Sequence, residues 1–241
     1  MKIALIGYGK MGKAIENIAL LQGHEIVLKI NTLNTELLSI INLQKCDVAI
    51  EFTGPETTVN NLKLCIDAGV PIVCGSTGWH GQEQYIKNYC LANNGALLYS
   101  SNFSIGVNIF FEINKKLATL IKNYKEYNVS IEETHHTQKK DAPSGTAITL
   151  AEQIIACQTQ KNNWVVNTPA QPHQILITCQ RVDPTPGTHT VFYRSLIDQI
   201  AITHTAYNRD GFAIGAILAA QFLIHKKGVF NMADVLNYTT K

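Results

Sequence analysis

The chain has 241 residues, too many for a disulfide-stapled mini-protein and enough for one large domain or two modest ones. Twenty basic and 18 acidic residues leave a formal charge of +2, and charged residues are 16% of the chain against about 25% in ordinary soluble domains, which argues against a nucleic-acid partner. Hydrophobic content is 46%, with 20 Asn and 21 Thr where charges are missing, so the composition is that of a globular chain and not a disordered one.

Over the first hundred residues, short β-branched runs (Lys2 to Ile6, Glu25 to Ile30, Val48 to Phe52, Ile72 to Cys74, Ala96 to Tyr99) alternate with helical spacing over Lys10 to Leu21, Pro55 to Ala68 and Gly81 to Asn93. Alternation of this kind predicts a Rossmann-type α/β domain, a parallel sheet with helices on both faces. After Asn102 the pattern changes. A long helix is expected from about Val107 to Ile121, then a strand from Asn128 to Glu133, a loop rich in His and Lys, and a helix from near Pro143 to near Cys157. Asn162 to Pro172 reads as loop, and strands are expected over Ile175 to Arg181, His189 to Ser195 and Gln199 to Ala206. This second block is an α+β domain with a mostly antiparallel open sheet and helices on one face. The apolar run from Gly211 to Ile224 falls short of the ~20 residues a membrane span needs and reads as a buried helix, so no membrane partner is expected. Two domains are the expected organisation, one over 1–105 that is completed by 210–241 and one over 106–209.

The apolar run Ile3 to Ile6 is too brief for a secretory signal, so no export is expected, and none of the six cysteines (Cys46, Cys65, Cys74, Cys90, Cys157, Cys179) forms a C-x-x-C pair. Reduced thiols in a cytoplasmic protein are expected.

Lys2 to Ile6 leads into Gly7-Tyr8-Gly9-Lys10-Met11-Gly12, a G-x-G-x-x-G that follows a strand and opens a helix. The first glycine permits the tight turn, the second lets backbone N–H groups approach a pyrophosphate, and the third lets helix pack on strand. The competing reading, a glycine turn without ligand, is disfavoured by this context. NAD-preferring sites usually carry an acid at the end of the second strand, where this chain has Asn31. Nothing there repels a 2′-phosphate, and Lys10 or Lys29 is placed to attract one, so NADPH is expected to be accepted, with NADH use left open. Gly75-Ser76-Thr77-Gly78 follows a strand, which puts its backbone at the sheet edge where ligands collect.

The densest chemistry lies in Glu132-Glu133-Thr134-His135-His136-Thr137-Gln138-Lys139-Lys140-Asp141-Ala142-Pro143-Ser144-Gly145-Thr146-Ala147. Here the sequence resembles the 4-hydroxy-tetrahydrodipicolinate reductases (dihydrodipicolinate reductases) of bacterial lysine and diaminopimelate biosynthesis, whose signature is E-x-H-H-x-x-K-x-D-A-P-S-G-T-A. Glu51 to Glu56, Gly75 to Gly78, Ser101 to Asn108, Gly187 to Val191, Ile202 to His204 and Arg209 to Ala216 agree as well, so the resemblance spans essentially the whole chain. It implies an NAD(P)H-dependent reductase of a small cyclic dicarboxylate, with His135 and Lys139 catalytic and His136, Lys139, Gly145 and Thr146 on the substrate. It further implies that Gly75, Ser76 and Thr77, with Ser100, Ser101, Asn102 and Phe103, lie against the nicotinamide end of the cofactor. Closure of the second domain, hinged near Ser104 to Gly106 and Arg209 to Gly211, and a homotetramer are also implied.

The residues themselves fit that chemistry. An imidazole at His135 titrates near neutrality and supplies a proton, Lys139 binds a carboxylate, His136 adds a donor, and Pro143 to Thr146 opens a helix whose first N–H groups form an anion site. A metal at His135, His136, Glu132 and Glu133 is not expected, because adjacent residues of an extended segment face opposite ways. A purely solvated polar loop is the blander reading, disfavoured by the concentration of His and Lys in a chain so poor in charge. His189 and His204 receive no role. Departures from the family are Thr137 and Gln138 in place of basic residues, Glu51 for Asp, Ser76 for Thr, and a short stretch between Cys157 and Ile175. Rival readings are another two-domain amino-acid dehydrogenase and a non-catalytic NAD(P)-binding regulator; both lack a use for the His135–Lys139 loop.

Overall fold

The computed structural model describes residues 1–237. In chain order the elements are β1 (Lys2–Ile6), α1 (Lys10–Leu21), β2 (Glu25–Ile30), α2 (Ile40–Leu43), β3 (Val48–Glu51), α3 (Pro55–Asp67), β4 (Ile72–Cys74), α4 (Glu83–Ala92) and β5 (Ala96–Tyr99). There follow α5 (Ile105–Ile121), β6 (Asn128–His135), α6 (Gly145–Cys157), β7 (Asn163–Val166), β8 (Gln174–Arg181), β9 (Gly187–Arg194), β10 (Gln199–Ala206), α7 (Asp210–Leu223), β11 (Gly228–Phe230) and α8 (Met232–Val235). Short 3-10 turns lie at Thr35–Leu37 and His80–Gln82. The chain forms two compact units, one of Met1–Ile105 with the segment from Arg209 onward, the other Gly106–Asn208.

In the first unit six parallel strands stand in the order β11-β5-β4-β3-β1-β2. Its strands read as nearly continuous apolar runs because both faces are covered. Ala4 and Ile6 pack with Leu62, Ile66, Ile86 and Cys90 of α3 and α4, whereas Ile3 and Leu5 pack with Ile15 and Ala19 of α1 and Ala216 and Ala220 of α7. The order of strands reverses beside β1, so the C-terminal ends of β1 and β3 flank the crevice where this architecture takes its ligands. Helix α7 is the apolar run of the sequence, and among the described residues no helix is long and apolar enough to cross a membrane. The C-terminal strand β11 adds to the sheet beside β5, a contribution too short to register in the sequence pattern. Residues 238–241, which the expected domain boundary includes, lie outside the described residues.

The second unit carries five strands in the order β10-β9-β6-β8-β7. Its inward face, with Val129, Ile131, Ile175, Ile177, Val191 and Tyr193, is covered by α5 and α6 through Phe110, Phe111, Leu150 and Ile154. The expected mostly antiparallel sheet is a mixed one. β6 pairs antiparallel with β9, as β9 does with β10, but β6–β8 and β8–β7 are parallel, because α6 carries the chain back from the end of β6 to the start of β7 and the loop over 167–173 carries it back again to the start of β8. The stretch from Asn162 to Pro172 is likewise not all loop. Asn163–Val166 forms β7 on the edge of the sheet, where four residues hold too little alternation to stand out beside two prolines.

Candidate active site

In the first unit β1 delivers the glycine loop to the N-terminus of α1. Gly7 has φ +96°, and a Cβ there would stand 2.0 Å from the Phe52 carbonyl oxygen, while one on Gly12 would stand 2.6 Å from the Gly7 oxygen. Packing alone therefore requires these two glycines. Gly9, the N-cap of α1, is different: it is exposed, and a Cβ there meets none of the described residues within 4 Å. An uncapped helix N-terminus behind a bare, open glycine fits a pyrophosphate, since N–H groups and helix dipole both face the anion.

Around this loop the expected contacts divide. Lys10 is exposed, whereas Lys29 is held by Glu16 at 3.1 Å and lies 5.3 Å from the centre of the Tyr8 ring, whose hydroxyl donates to the same carboxylate. That hydrogen bond from Tyr8, with help from Lys29, keeps the Glu16 carboxyl below its ordinary range. Asn31 closes a turn after β2: its Oδ1 accepts the Leu33 N–H and its own N–H is donated to Asn34 Oδ1, both at 2.7 Å. Thr77 and Ser101 are exposed, Met11 and Ser100 half-buried. Ser76 turns inward, its hydroxyl donating to Glu51 at 3.0 Å and its carbonyl accepting from the Trp79 indole. Gly75 is glycine because the Phe52 ring lies where a Cβ would be. The hydroxyl of Ser100 donates to the Asn102 carbonyl at 2.7 Å, Asn102 Oδ1 accepts the Ser104 N–H, and Phe103 is buried in the core 5.7 Å from Phe52. Ser76 and Phe103 are thus scaffold by their side chains, and only their backbone is available to a ligand.

In the second unit β6 runs two residues further than its apolar pattern, to His135. Glu133 and His135 therefore share the inward face, both buried, while His136 begins the loop half-exposed. Glu133 is the hub. Its Oε1 accepts from both terminal nitrogens of Arg181 at 3.2 Å, and its Oε2 accepts the Ser144 N–H at 3.0 Å. Burial opposes its charge, but the His189 ring 3.6 Å away and the hydrogen bonding of Ser144 outweigh it and hold the carboxyl well below the usual carboxylate range. Arg181 also ties the loop down, donating to the Lys139 carbonyl at 3.3 Å and to the Asp141 carbonyl at 2.5 Å. On that loop the Lys139 ammonium meets both Asp141 carboxylate oxygens at 2.8 Å.

His135 packs against Gly187, where any Cβ would come within 2.8 Å of its Cε1. Its Nδ1 is 3.1 Å from the Pro186 carbonyl and its Nε2 is 3.2 Å from Nε2 of His189. Burial, then the neighbouring His189, pushes its proton affinity down to about 4. Ser144 caps α6 by accepting the Ala147 N–H at 3.2 Å, and its hydroxyl is 3.0 Å from His189 Nε2. Gly145 follows, exposed, with no described residue within 4 Å of a Cβ built on it, so approach to the first turn of α6 is open. Glu133, His189, Arg181 and Ser144 carry no assignment from the sequence. Only the i, i+2 spacing of Glu133 and His135 hinted at a shared face; the other partners come from β8, β9 and the helix cap.

Both parts of the chain match one family. Residues 1–103 match the family described as dihydrodipicolinate reductase, N-terminus, and residues 106–236 its C-terminus. The chain belongs to the dihydrodipicolinate reductase family. It is 45% identical over 239 residues to the 4-hydroxy-tetrahydrodipicolinate reductase of Christiangramia forsetii, covering 98% of each chain. With the 4-hydroxy-tetrahydrodipicolinate reductase of Geobacter sp. (strain M21) it shares 34% identity over 202 residues, 80% of this chain and 74% of that one. The fold is that of dipicolinate-bound dihydrodipicolinate reductase from Paenisporosarcina sp. TG-14, with a TM-score of 0.75 at 22% identity over 97% and 98% of the two chains. An amine dehydrogenase from Mycobacterium smegmatis shares the fold more loosely, with a TM-score of 0.63 at 9% identity over 96% and 95%. Family membership makes the chain an oxidoreductase of the lysine and diaminopimelate route that works with NAD(P)H, and both rival readings give way to it.

Proposed function

We propose that the chain reduces 4-hydroxy-tetrahydrodipicolinate to tetrahydrodipicolinate, gaining a hydride and a proton on the substrate as its hydroxyl leaves as water. The observation that carries this reading is one loop of the second unit, where an ammonium, an imidazole and an open helix N-terminus stand together. Lys139 exchanges its Asp141 partner for a substrate carboxylate, His136 donates to the dicarboxylate, and the first turn of α6 at Gly145 and Thr146 takes the remaining negative charge. His135 delivers the proton. A dianionic substrate beside it favours the imidazolium that burial disfavours in the free protein, so the acid is loaded when there is something to protonate.

The glycine loop of the first unit, Gly7 to Gly12, binds the cofactor pyrophosphate; Asn31 stands at the ribose, and Gly75 to Thr77 with Ser100 to Phe103 present backbone to the nicotinamide. Bound NAD(P)H supplies the hydride. With no carboxylate at Asn31 and an exposed Lys10, NADPH is accepted; Lys29, neutralised by Glu16, contributes little attraction for a 2′-phosphate, which leaves room for NADH. The enzyme works in the cytoplasm, in keeping with six free thiols, as a homotetramer and without metal.

Steady-state kinetics with both cofactors test the reading. The wild type is expected to oxidise NAD(P)H on this substrate, and His135→Gln and Lys139→Ala to lose about 100-fold or more in kcat while binding cofactor normally. A wild-type protein that oxidises neither cofactor would sink the assignment.

A further inference from the structure

A polar row crosses the inward face of the second sheet. Cys179 on β8, Glu133 on β6, His189 on β9 and His204 on β10 are directly paired neighbours, in a face otherwise built of Val, Ile and Tyr. Glu133 is 1% exposed, His189 4% and His135 8%, so each ring nitrogen must be accounted for.

The tautomers follow from the partners. His135 Nδ1 faces a carbonyl oxygen, which only accepts, so it carries a proton; a neutral His135 then has a bare Nε2. Two bare nitrogens do not sit 3.2 Å apart, so the proton between them is on Nε2 of His189, where Ser144 Oγ at 3.0 Å and Glu133 Oε2 at 3.6 Å also favour an N–H. Nδ1 of His189 is then bare, and it is the nitrogen that has no hydrogen-bond partner among the described residues. In the opposite tautomer it would be a buried N–H without an acceptor, the costlier arrangement.

We propose that His189 is a positioning residue for the reduction, donating its Nε2–H to Nε2 of His135 and so holding His135 as the Nδ1-protonated tautomer with a single nitrogen left to load and release the reaction's proton. The proposal rests on the reading of His135 as proton donor. Loading a proton on Nε2 displaces the His189 donor, which disfavours the imidazolium and makes it a stronger acid. Other groups face the pair: Glu133 from β6, Cys179 and Arg181 from β8, His204 from β10 and Lys139 from the loop, with Ser144 at the α6 cap. Of these only Glu133 favours the imidazolium; Lys139 opposes it.

The same geometry argues against a metal ion, although ligand atoms of Glu133, His135 and His189 lie within 4.8 Å of one another. Metal on Nε2 of His189 would force the proton onto the partnerless Nδ1, where metal-bound histidines regularly find an acceptor.

Two measurements on the full-length protein test this. Histidine-ring 15N NMR of the free wild type should show Nδ1–H with bare Nε2 for His135 and the reverse for His189; the opposite assignment at either ring overturns the proposal, as does Zn2+ titration that shifts both rings at stoichiometric metal. In kinetics, His189→Leu should move the alkaline limb of kcat upward by about one pH unit, lower kcat about tenfold and leave KM for substrate within about threefold, with His189→Gln, which keeps an N–H donor, recovering most of kcat. A folded His189→Leu protein with the wild-type pH profile overturns it. Full turnover in His135→Gln would instead overturn the reading of His135.

Discussion

Single residues in this protein act through what burial does to their charge. His135 is held neutral in the folded chain with its proton affinity pushed down to about 4, while an exposed imidazole in the unfolded chain titrates near 6.5. The unfolded state therefore binds the extra proton first as pH falls. Stability contributed by neutral His135 is present above about 6.5 and is lost progressively from there toward 4. A tenfold change in proton affinity is worth about 1.4 kcal/mol, so the loss approaches about 3 kcal/mol at pH 4. Glu133, whose carboxyl is held down, works in the same direction at lower pH: its contribution is present above the ordinary Glu range and lost as acid protonates it. Denaturant unfolding at pH 7 and pH 4 should show a smaller drop for His135→Gln than for wild type. Equal drops in both would show that His135 is not buried neutral. The motif singles out His135 but not its partners, because Arg181 and His189 lie 46 and 54 residues along the chain and meet it only through the pairing of β6 with β8 and β9.

Elements place these residues, and glycines show how. Strand β1, helix α1 and the loop between them are legible from the sequence because a buried parallel strand and an amphipathic helix each have their own period. Within the loop the three glycines do different work. Gly7→Ala drives a Cβ into the Phe52 carbonyl at a positive φ, so a loss of about 2 kcal/mol or more in stability is expected, seen as a lower melting temperature. Gly9→Ala meets no described residue and should melt like wild type while binding NAD(P)H at least about tenfold more weakly, since its methyl fills the approach to the α1 N-terminus. Unchanged affinity in Gly9→Ala would remove the glycine loop from the cofactor site. What sequence pattern misses at this scale is short and edge-placed. Strands β7 and β11 have four and three residues, and their existence depends on β8 and β5 offering an unpaired edge.

At the scale of the whole molecule, the scarcity of charge has a location. The outward face of the second sheet carries facing threonine pairs, Thr188 with Thr205 and Thr190 with Thr203, their hydroxyls 3.3 and 3.0 Å apart, with Phe192 and Ala201 in the next pair. Leu196 and Ile197 at the turn between β9 and β10, and Tyr207 after β10, are almost fully exposed. A face rich in threonine, whose Glu132 and Arg194 pair with each other at 3.5 Å, edged by bare apolar side chains, supports the proposed homotetramer. Light scattering should give the mass of four chains; the mass of one, 26.6 kDa, would refute assembly through this face.

The sequence by itself determined the order and type of nearly every element, the division into a Rossmann-type unit and a second sheet, and the loop from His135 to Thr146, since these rest on periodicity and on residues adjacent in the chain. Tertiary structure alone decided that the second sheet is mixed, that Ser76 and Phe103 turn inward, and that Glu133, Arg181, Ser144 and His189 enclose His135. The reason is the same in each case. Strand register and helix packing bring together groups far apart in sequence, and whether a buried polar atom finds its partner depends on that meeting and leaves no local signal.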